Sequence, residues 1–193
     1  MKNKLKIPGI GLRNIKTGLA VFLCLITYTL AEFVVTRISS SGAGVPDFVF
    51  ALFSKDTAIY ACLAAVVVMG SSVSKSFRSG VSRIIGTVIG GIYGSIYLHS
   101  GRYFDAERLA FLLIPVGLVM LIYFLVLIRE KDAVVIAAAT YLIIVITIDT
   151  GAPLLYALNR VLSTGYGVII SLCVNNFIGR PKNEEKTENE QKG

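Results

Sequence analysis

Long runs of apolar residues are the feature of this chain that most limits its fold. Hydropathy places six such runs along the 193 residues, near positions 17–36, 57–73, 84–98, 109–128, 133–148 and 154–178. Only 16% of the residues are charged and 54% are hydrophobic, which is far from the balance of soluble proteins. A backbone surrounded by lipid must satisfy its polar groups internally, and unbroken apolar runs do so as α-helices.

The sequence therefore predicts an all-α integral membrane protein with six transmembrane helices. The second, third and fifth runs are shorter than the roughly 20 residues that cross a bilayer, so we expect them to extend into their flanks or to thin the bilayer. A four-span arrangement is the alternative. A β-barrel does not fit, because barrel strands alternate apolar and polar residues. Residues 1–178 form the predicted membrane domain, and the charged segment 179–193 is expected to be a disordered cytoplasmic tail.

The distribution of lysine and arginine predicts the orientation. With the N-terminus inside the cell, fourteen of the 19 basic residues lie in cytoplasmic segments, as the positive-inside rule requires. Both termini are then cytoplasmic. The net charge of +7 is explained by contact with anionic membrane lipids, so nucleic acid is not an expected partner.

One pattern of arginine, threonine and glycine occurs twice with the same internal spacing. Its members are Arg83, Thr87 and Gly90, and, 77 residues later, Arg160, Thr164 and Gly167. Three predicted spans separate the two copies, and this odd number would make the second copy enter the membrane from the opposite face. The sequence thus predicts a 3+3 inverted repeat, an arrangement typical of secondary transporters.

The arginines and threonines of this pattern are the candidate substrate-binding residues. Arg83 and Thr87 share a helix face, with Arg83 expected at the cytoplasmic entrance, and Arg160 and Thr164 mirror them from the outer side. A guanidinium can hold a carboxylate through two hydrogen bonds, which favours small organic anions as ligands. The alternatives are that Arg83 belongs to the cytoplasmic basic belt and that Arg160 pairs with Asp149.

Two acidic residues are candidates for proton coupling. Glu32 lies inside a predicted span, where a charged residue costs about 2.5–3.5 kcal/mol and so should face protein or water. The alternatives for Glu32 are that it reaches the outer interface or pairs with Arg37. Asp149 is open to a similar pair of interpretations, with Arg160 as its partner.

Glycines form a stripe along the third predicted span. Gly86, Gly90 and Gly94 recur every four residues, with Gly91 beside them. Such a stripe lets a second helix approach closely. It also permits one group of helices to move against another, so both helix packing and gating are open interpretations.

The sequence contains no nucleophile with an adjacent base, no phosphate-binding loop and no cluster with metal-ligand spacing. Cys24, Cys62 and Cys173 lie in apolar runs, and His99 is expected at a helix end. No catalytic residues, metal or cofactor are therefore predicted, and the chain is not expected to be an enzyme.

Three segments resemble the fusaric acid resistance and aromatic acid exporter superfamily. They are GLRNIKTGLAVFLC (residues 11–24), SKSFRSGVSRIIGTVIGG (74–91) and LNRVLSTGYGVIISLCVNN (158–176). The resemblance implies efflux of aromatic or other hydrophobic carboxylic acids across the bacterial cytoplasmic membrane, driven by the proton gradient. It also implies an oligomer, at least a homodimer, because some members join two six-span units. Many members have aspartate where this chain has Ser163, which weakens a proton site there.

The sequence as a whole predicts a multi-pass secondary exporter of organic acids. The competing hypothesis is a membrane scaffold or regulatory subunit of an envelope complex, in which the glycines serve assembly alone. A channel is disfavoured, because the sequence has neither a ring-forming carboxylate nor a carbonyl filter motif.

Overall fold

The computed structural model describes residues 11–41, 44, 46–101, 110–147 and 152–178. Asp149 and the predicted tail at 179–193 lie outside the described residues.

Every regular element in the described ranges is helical, which confirms the all-α prediction. The helices are α1 (Leu12–Ser40), α2 (Asp47–Leu52), α3 (Lys55–Val68), α4 (Val73–Gly101), α5 (Ala110–Leu127), α6 (Val134–Thr147) and α7 (Pro153–Phe177). A short 3₁₀ turn, Lys131–Ala133, precedes α6. Each of the six apolar runs overlaps one of the six longer helices, and α2 is a short additional helix.

Within the described residues, three helices are long and apolar enough to cross a membrane, namely those at Leu12–Ser40, Val73–Ser100 and Pro153–Phe177. Shorter apolar helices occur at Thr57–Val68 and Leu112–Leu127. Large apolar side chains such as Phe22, Phe33, Tyr123 and Leu127 are exposed on the outside of the bundle. An apolar exterior of this extent is what a lipid environment requires, and the protein is therefore a membrane protein.

The largest differences from the boundaries that hydropathy predicts are at the two ends of α1, at the end of α3 and at the start of α4. The predicted third span begins at residue 84, whereas α4 begins at Val73. The extra segment carries serines, lysine and arginine, so hydropathy excludes it although it is helical. The predicted second span reaches residue 73, whereas α3 ends at Val68, and the Gly70 amide then donates a hydrogen bond to Ser76 Oγ at 2.8 Å.

The glycine stripe of α4 packs against α6 of the same chain. An added Cβ at Gly90 would overlap the backbone of Ala137, and one at Gly86 would lie 2.7 Å from the Ala133 carbonyl oxygen. Gly94 contacts Ile144. The absence of side chains thus lets the two backbones approach closely, as in other small-residue helix interfaces.

The second copy of the repeat makes the corresponding contact with a different helix. Gly167 of α7 packs against α3, where an added Cβ would overlap the Ala61 carbonyl and lie 2.9 Å from Ala64 Cβ. The two glycines of the repeated pattern, Gly90 and Gly167, therefore each lie where two helix backbones come close together: α4 with α6, and α7 with α3.

The helices α4 and α7 cross antiparallel through two reciprocal contacts. Gly80 packs against Val168, and Gly91 packs against Ala157. In the 77-residue repeat, Gly80 corresponds to Ala157 and Gly91 corresponds to Val168. The Gly80–Val168 contact is therefore the counterpart of the Gly91–Ala157 contact. Reciprocal contacts of this kind are what a two-fold axis between related units produces.

Candidate functional site

The two repeat arginines lie in the interior of their helices. Arg83 is the eleventh residue of α4, about 15 Å from its first residue at 1.5 Å per residue, and its predicted place at the cytoplasmic entrance of the membrane stays a prediction. Arg160 is the eighth residue of α7. The contacts of Gly80 with Val168 and of Gly91 with Ala157 fix how α4 and α7 align, and they place Arg160 opposite Val88 of α4. Along the helix axis, Val88 is about 8 Å from Arg83.

Arg160 is held by side chains from two other helices. It is 8% exposed, and its Nε donates a hydrogen bond of 3.3 Å to Thr140 Oγ1 of α6. Its guanidinium carbon lies 4.0 Å from the centre of the Tyr60 ring of α3, a favourable cation–π geometry. The Tyr60 hydroxyl is hydrogen-bonded to the hydroxyl of Tyr156, which is also on α7. One guanidinium nitrogen, Arg160 Nη1, is buried and has no hydrogen-bond partner.

Arg83 has fewer partners than Arg160. Its side chain is half-buried, and its Nε is buried and without a hydrogen-bond partner. Among the side chains that the structure describes, no carboxylate forms an ion pair with either arginine. By contrast, Arg78 and Asp132 form an ion pair with an N–O distance of 3.4 Å on the surface.

The electrostatics of this centre follow from those contacts. A guanidinium remains charged in proteins, because its pKa lies far above neutral pH. Buried charge is costly unless an opposite charge or hydrogen bonds compensate it. The unpartnered guanidinium nitrogens of Arg83 and Arg160 can donate to an anion with two acceptor atoms, such as a carboxylate.

The structure brings the predicted threonines to the same helix crossing. Thr87 is 2% exposed, and its hydroxyl donates to the Arg83 carbonyl oxygen at 2.8 Å. That bond is a common one for a hydroxyl inside a helix, and it leaves Oγ1 free to accept rather than to donate. Thr164 is 3% exposed. Both side chains are buried one turn from their arginine.

The candidate proton carriers are not joined to this centre by any described contact. Glu32 is partly buried on α1, and its side chain makes no hydrogen bond or ion pair with the described residues. Arg37, its predicted partner, instead has its guanidinium 5.1 Å from the centre of the Phe33 ring. The predicted pair of Asp149 with Arg160 lies outside the described residues.

Sequence reasoning missed the side chains that surround Arg160. Thr140, Tyr60 and Tyr156 lie in apolar runs and have no distinctive spacing. The one available signal was Thr140, a hydroxyl in the middle of an otherwise apolar segment. Ser163 was noted only as a departure from the family pattern, yet it is fully buried, and its hydroxyl donates to the Arg160 carbonyl oxygen at 3.1 Å.

A second buried cation was also missed. Lys16 of α1 is 5% exposed, and its Nζ donates to Asn175 Oδ1 of α7 at 3.2 Å. Asn175 Nδ2 in turn donates to Ser76 Oγ at 2.9 Å and to the Gly70 carbonyl oxygen at 3.4 Å. This group, which we call the Lys16 network, joins α1, α7, α4 and the α3–α4 connection. The sequence indicated only that Lys16 belongs to the basic cytoplasmic belt.

A group of three or more potential metal ligands does not occur in the part of the chain that the structure describes.

The similarity of this chain to known proteins is at the level of the family. No curated protein and no solved structure matches the chain significantly. The family described as fusaric acid resistance protein-like matches residues 41–174, a region that contains both arginines and every helix from α2 to α6. Since this match covers more than half of the chain, the protein belongs to the fusaric acid resistance protein-like family, whose membership suggests a function in membrane transport or resistance.

Proposed function

We propose that the protein is a secondary exporter of small organic anions, specifically aromatic or other hydrophobic carboxylates, across the bacterial cytoplasmic membrane. The observation that carries this proposal is the pair of repeat arginines. Arg83 and Arg160 lie inside the α4–α7 crossing, and each has a buried nitrogen without a partner. A carboxylate between them would receive hydrogen bonds from both guanidinium groups.

The proposed architecture has six spans, a 3+3 inverted repeat and both termini in the cytoplasm. Several contacts support it. The helix pairs α4–α6 and α3–α7 run parallel, and α4–α7 runs antiparallel, as six spans of alternating direction require. The reciprocal contacts of α4 and α7 support the repeat. Sites at the interface of two such repeats are common in secondary transporters, because the repeats can rock about a fixed ligand.

The repeated glycines give this motion a physical basis. Gly86, Gly90, Gly91 and Gly94 bring α4 into close contact with its neighbours because they carry no side chains of their own, and Gly167 does so for α7. We propose that α4 slides against α6 and α7 when the site changes its access. The same contacts favour an exporter over a scaffold, because a stripe that is covered by α6 does not offer a surface for another protein.

The remaining parts of the proposal concern assembly and energy. The family resemblance implies that two six-span units act together, so we propose at least a homodimer within the lipid bilayer. Proton coupling through Glu32 or Asp149 is one source of energy that the family resemblance implies.

The direct test replaces Arg83 and measures efflux of labelled benzoate from cells at matched abundance of the protein in the membrane. Arg83→Ala should lower the initial rate by at least about tenfold, because it removes a charge-assisted pair of hydrogen bonds to the ligand. Arg83→Lys should retain part of the rate, since lysine keeps the charge but not the two-pronged geometry.

The matched control is Arg78→Ala, which removes the same side chain from the surface of the same helix, where it is 83% exposed. This variant should export at the rate of the unmodified protein. Equal rates for Arg83→Ala and the unmodified protein would contradict the proposed role of the arginine pair.

A further inference from the structure

We propose that an anionic phospholipid of the surrounding membrane binds in the pocket between the first turns of α4 and the α5–α6 connection, with its phosphate held by Arg129 and Lys131. The pocket is lined by residues other than the repeat arginines. The inference therefore goes beyond the proposed function and does not depend on it.

The pocket exists because α4 extends past the helix against which it packs. Gly86 lies against Ala133, just before the start of α6, so residues 73–85 of α4 project beyond this contact. The projecting turns of α4 and the α5–α6 connection enclose an open pocket with a volume of about 500 Å³. That volume lies within the range of about 300–1,000 Å³ that is usual for sites of small molecules.

The two walls of the pocket differ in polarity. Phe77, Val81 and Ile85 recur every four residues and so form one apolar face of α4, on which Phe77 and Val81 are exposed. The opposite wall consists of four consecutive charged residues of the connection, which are Arg129, Glu130, Lys131 and Asp132. A ligand that fits both walls has an apolar part and a charged part, as a phospholipid has.

The charges of the pocket favour an anion. Arg78 is compensated by Asp132, at an N–O distance of 3.4 Å. Within the described residues, the exposed side chains of Arg129 and Lys131 make no hydrogen bond or ion pair, and Glu130 is the one acid left beside them. The pocket thus keeps one net positive charge. A lipid with a single negative charge complements it, whereas a zwitterionic lipid does not.

The backbone at Arg129 supports a role for its side chain. Arg129 has a φ of 64°, in the left-handed region, and its amide donates to the Val126 carbonyl oxygen at 3.1 Å. The Glu130 amide donates to the Leu125 carbonyl oxygen at 3.0 Å, which completes the pair of bonds that usually ends a helix with glycine. Glycine would adopt this conformation without the steric cost of a side chain. We therefore attribute the arginine to binding and not to the helix end.

The experiment follows thermal unfolding of the purified full chain in a neutral detergent while phospholipid is added. The lipid concentration that gives half of the rise in unfolding temperature should be at least about tenfold lower for dioleoylphosphatidylglycerol than for dioleoylphosphatidylcholine, because two cations meet the anionic headgroup. Equal concentrations for the two lipids would overturn the proposal.

A soluble phosphate distinguishes a lipid from a free anion. Glycerol 3-phosphate has the phosphate but lacks the apolar part that would meet α4, so it should not change the unfolding temperature over the same range of concentration. If it stabilises the protein as strongly as phosphatidylglycerol does, the assignment of the pocket to a lipid is wrong.

Arg129→Gly tests the site, because it should change two quantities in opposite directions. Without lipid, the variant should unfold at the same or a higher temperature, since glycine suits the left-handed backbone. The half-maximal concentration of phosphatidylglycerol should rise at least about fivefold, because one cation is lost. An unchanged concentration would overturn the proposal.

Two further variants guard this test. Lys131→Gln removes the second cation without changing the helix end and should also raise the half-maximal concentration about fivefold, so it decides the matter if Arg129→Gly unfolds at a lower temperature. Arg37→Gln removes an exposed arginine that does not line the pocket and should keep the full preference for phosphatidylglycerol. An equal loss in Arg37→Gln would show general attraction of the lipid to basic residues and overturn the specific site.

Discussion

Replacing Asn175 with leucine should lower the free energy of unfolding by about 3 kcal/mol, because it leaves the Lys16 ammonium group buried without its amide partner. The change also removes two bonds that Asn175 donates to Ser76 and to the Gly70 carbonyl oxygen. These bonds hold the α3–α4 connection against α7. The measurement is equilibrium unfolding of the purified protein in detergent, followed by the helical signal in circular dichroism.

The adjacent residue provides the control for this prediction. Asn176 is exposed, so Asn176→Leu should leave the stability nearly unchanged. Adding Lys16→Met to Asn175→Leu should recover part of the loss, since the double variant no longer contains an unpaired buried charge. If the double variant is as unstable as the sum of the single variants, Lys16 and Asn175 are not energetically coupled in the way the structure indicates.

Replacing Gly167 with alanine should destabilise the protein by about 1–3 kcal/mol, because the new methyl group would overlap the backbone of Ala61. A flexible side chain could move aside, but a helix backbone cannot move without separating α7 from α3. Gly90→Ala should have an effect of similar size at the α4–α6 contact, where the obstacle is the backbone of Ala137. Thermal unfolding in detergent measures both losses.

The control lies two residues away on the same helix. Gly165 has no atom within 4 Å of an added Cβ, so Gly165→Ala should not reduce stability, and the higher helix propensity of alanine favours a small gain. Equal losses for Gly165→Ala and Gly167→Ala would indicate that glycine serves α7 through backbone flexibility and not through close packing.

The sequence predicted the local features of this protein correctly. Apolar runs specify helices in lipid, and this reasoning gave the all-α class and the approximate place of each longer helix. The family was also recognised from three short segments. The repeated arginine, threonine and glycine drew attention to residues that the structure brings together at one helix crossing.

What the sequence left undetermined was the depth and the environment of those residues. Hydropathy averages over a window, so the polar first turns of α4 were excluded from the predicted span, and Arg83, which lies just before that span, is the eleventh residue of the helix. The partners of Arg160, which are Tyr60 and Thr140, come from positions 100 and 20 residues earlier in the chain. No local pattern can identify such a pair.

The sequence by itself determined which segments are helices, because the helical state in lipid depends on the polarity of each segment and on little else. Only the tertiary structure decided which face of each helix is covered and by what. That outcome depends on where glycines allow two backbones to meet. The closest contacts, Gly90 with Ala137 and Gly167 with Ala61, set the position of α4 against α6 and of α7 against α3, and with it the position of the two arginines.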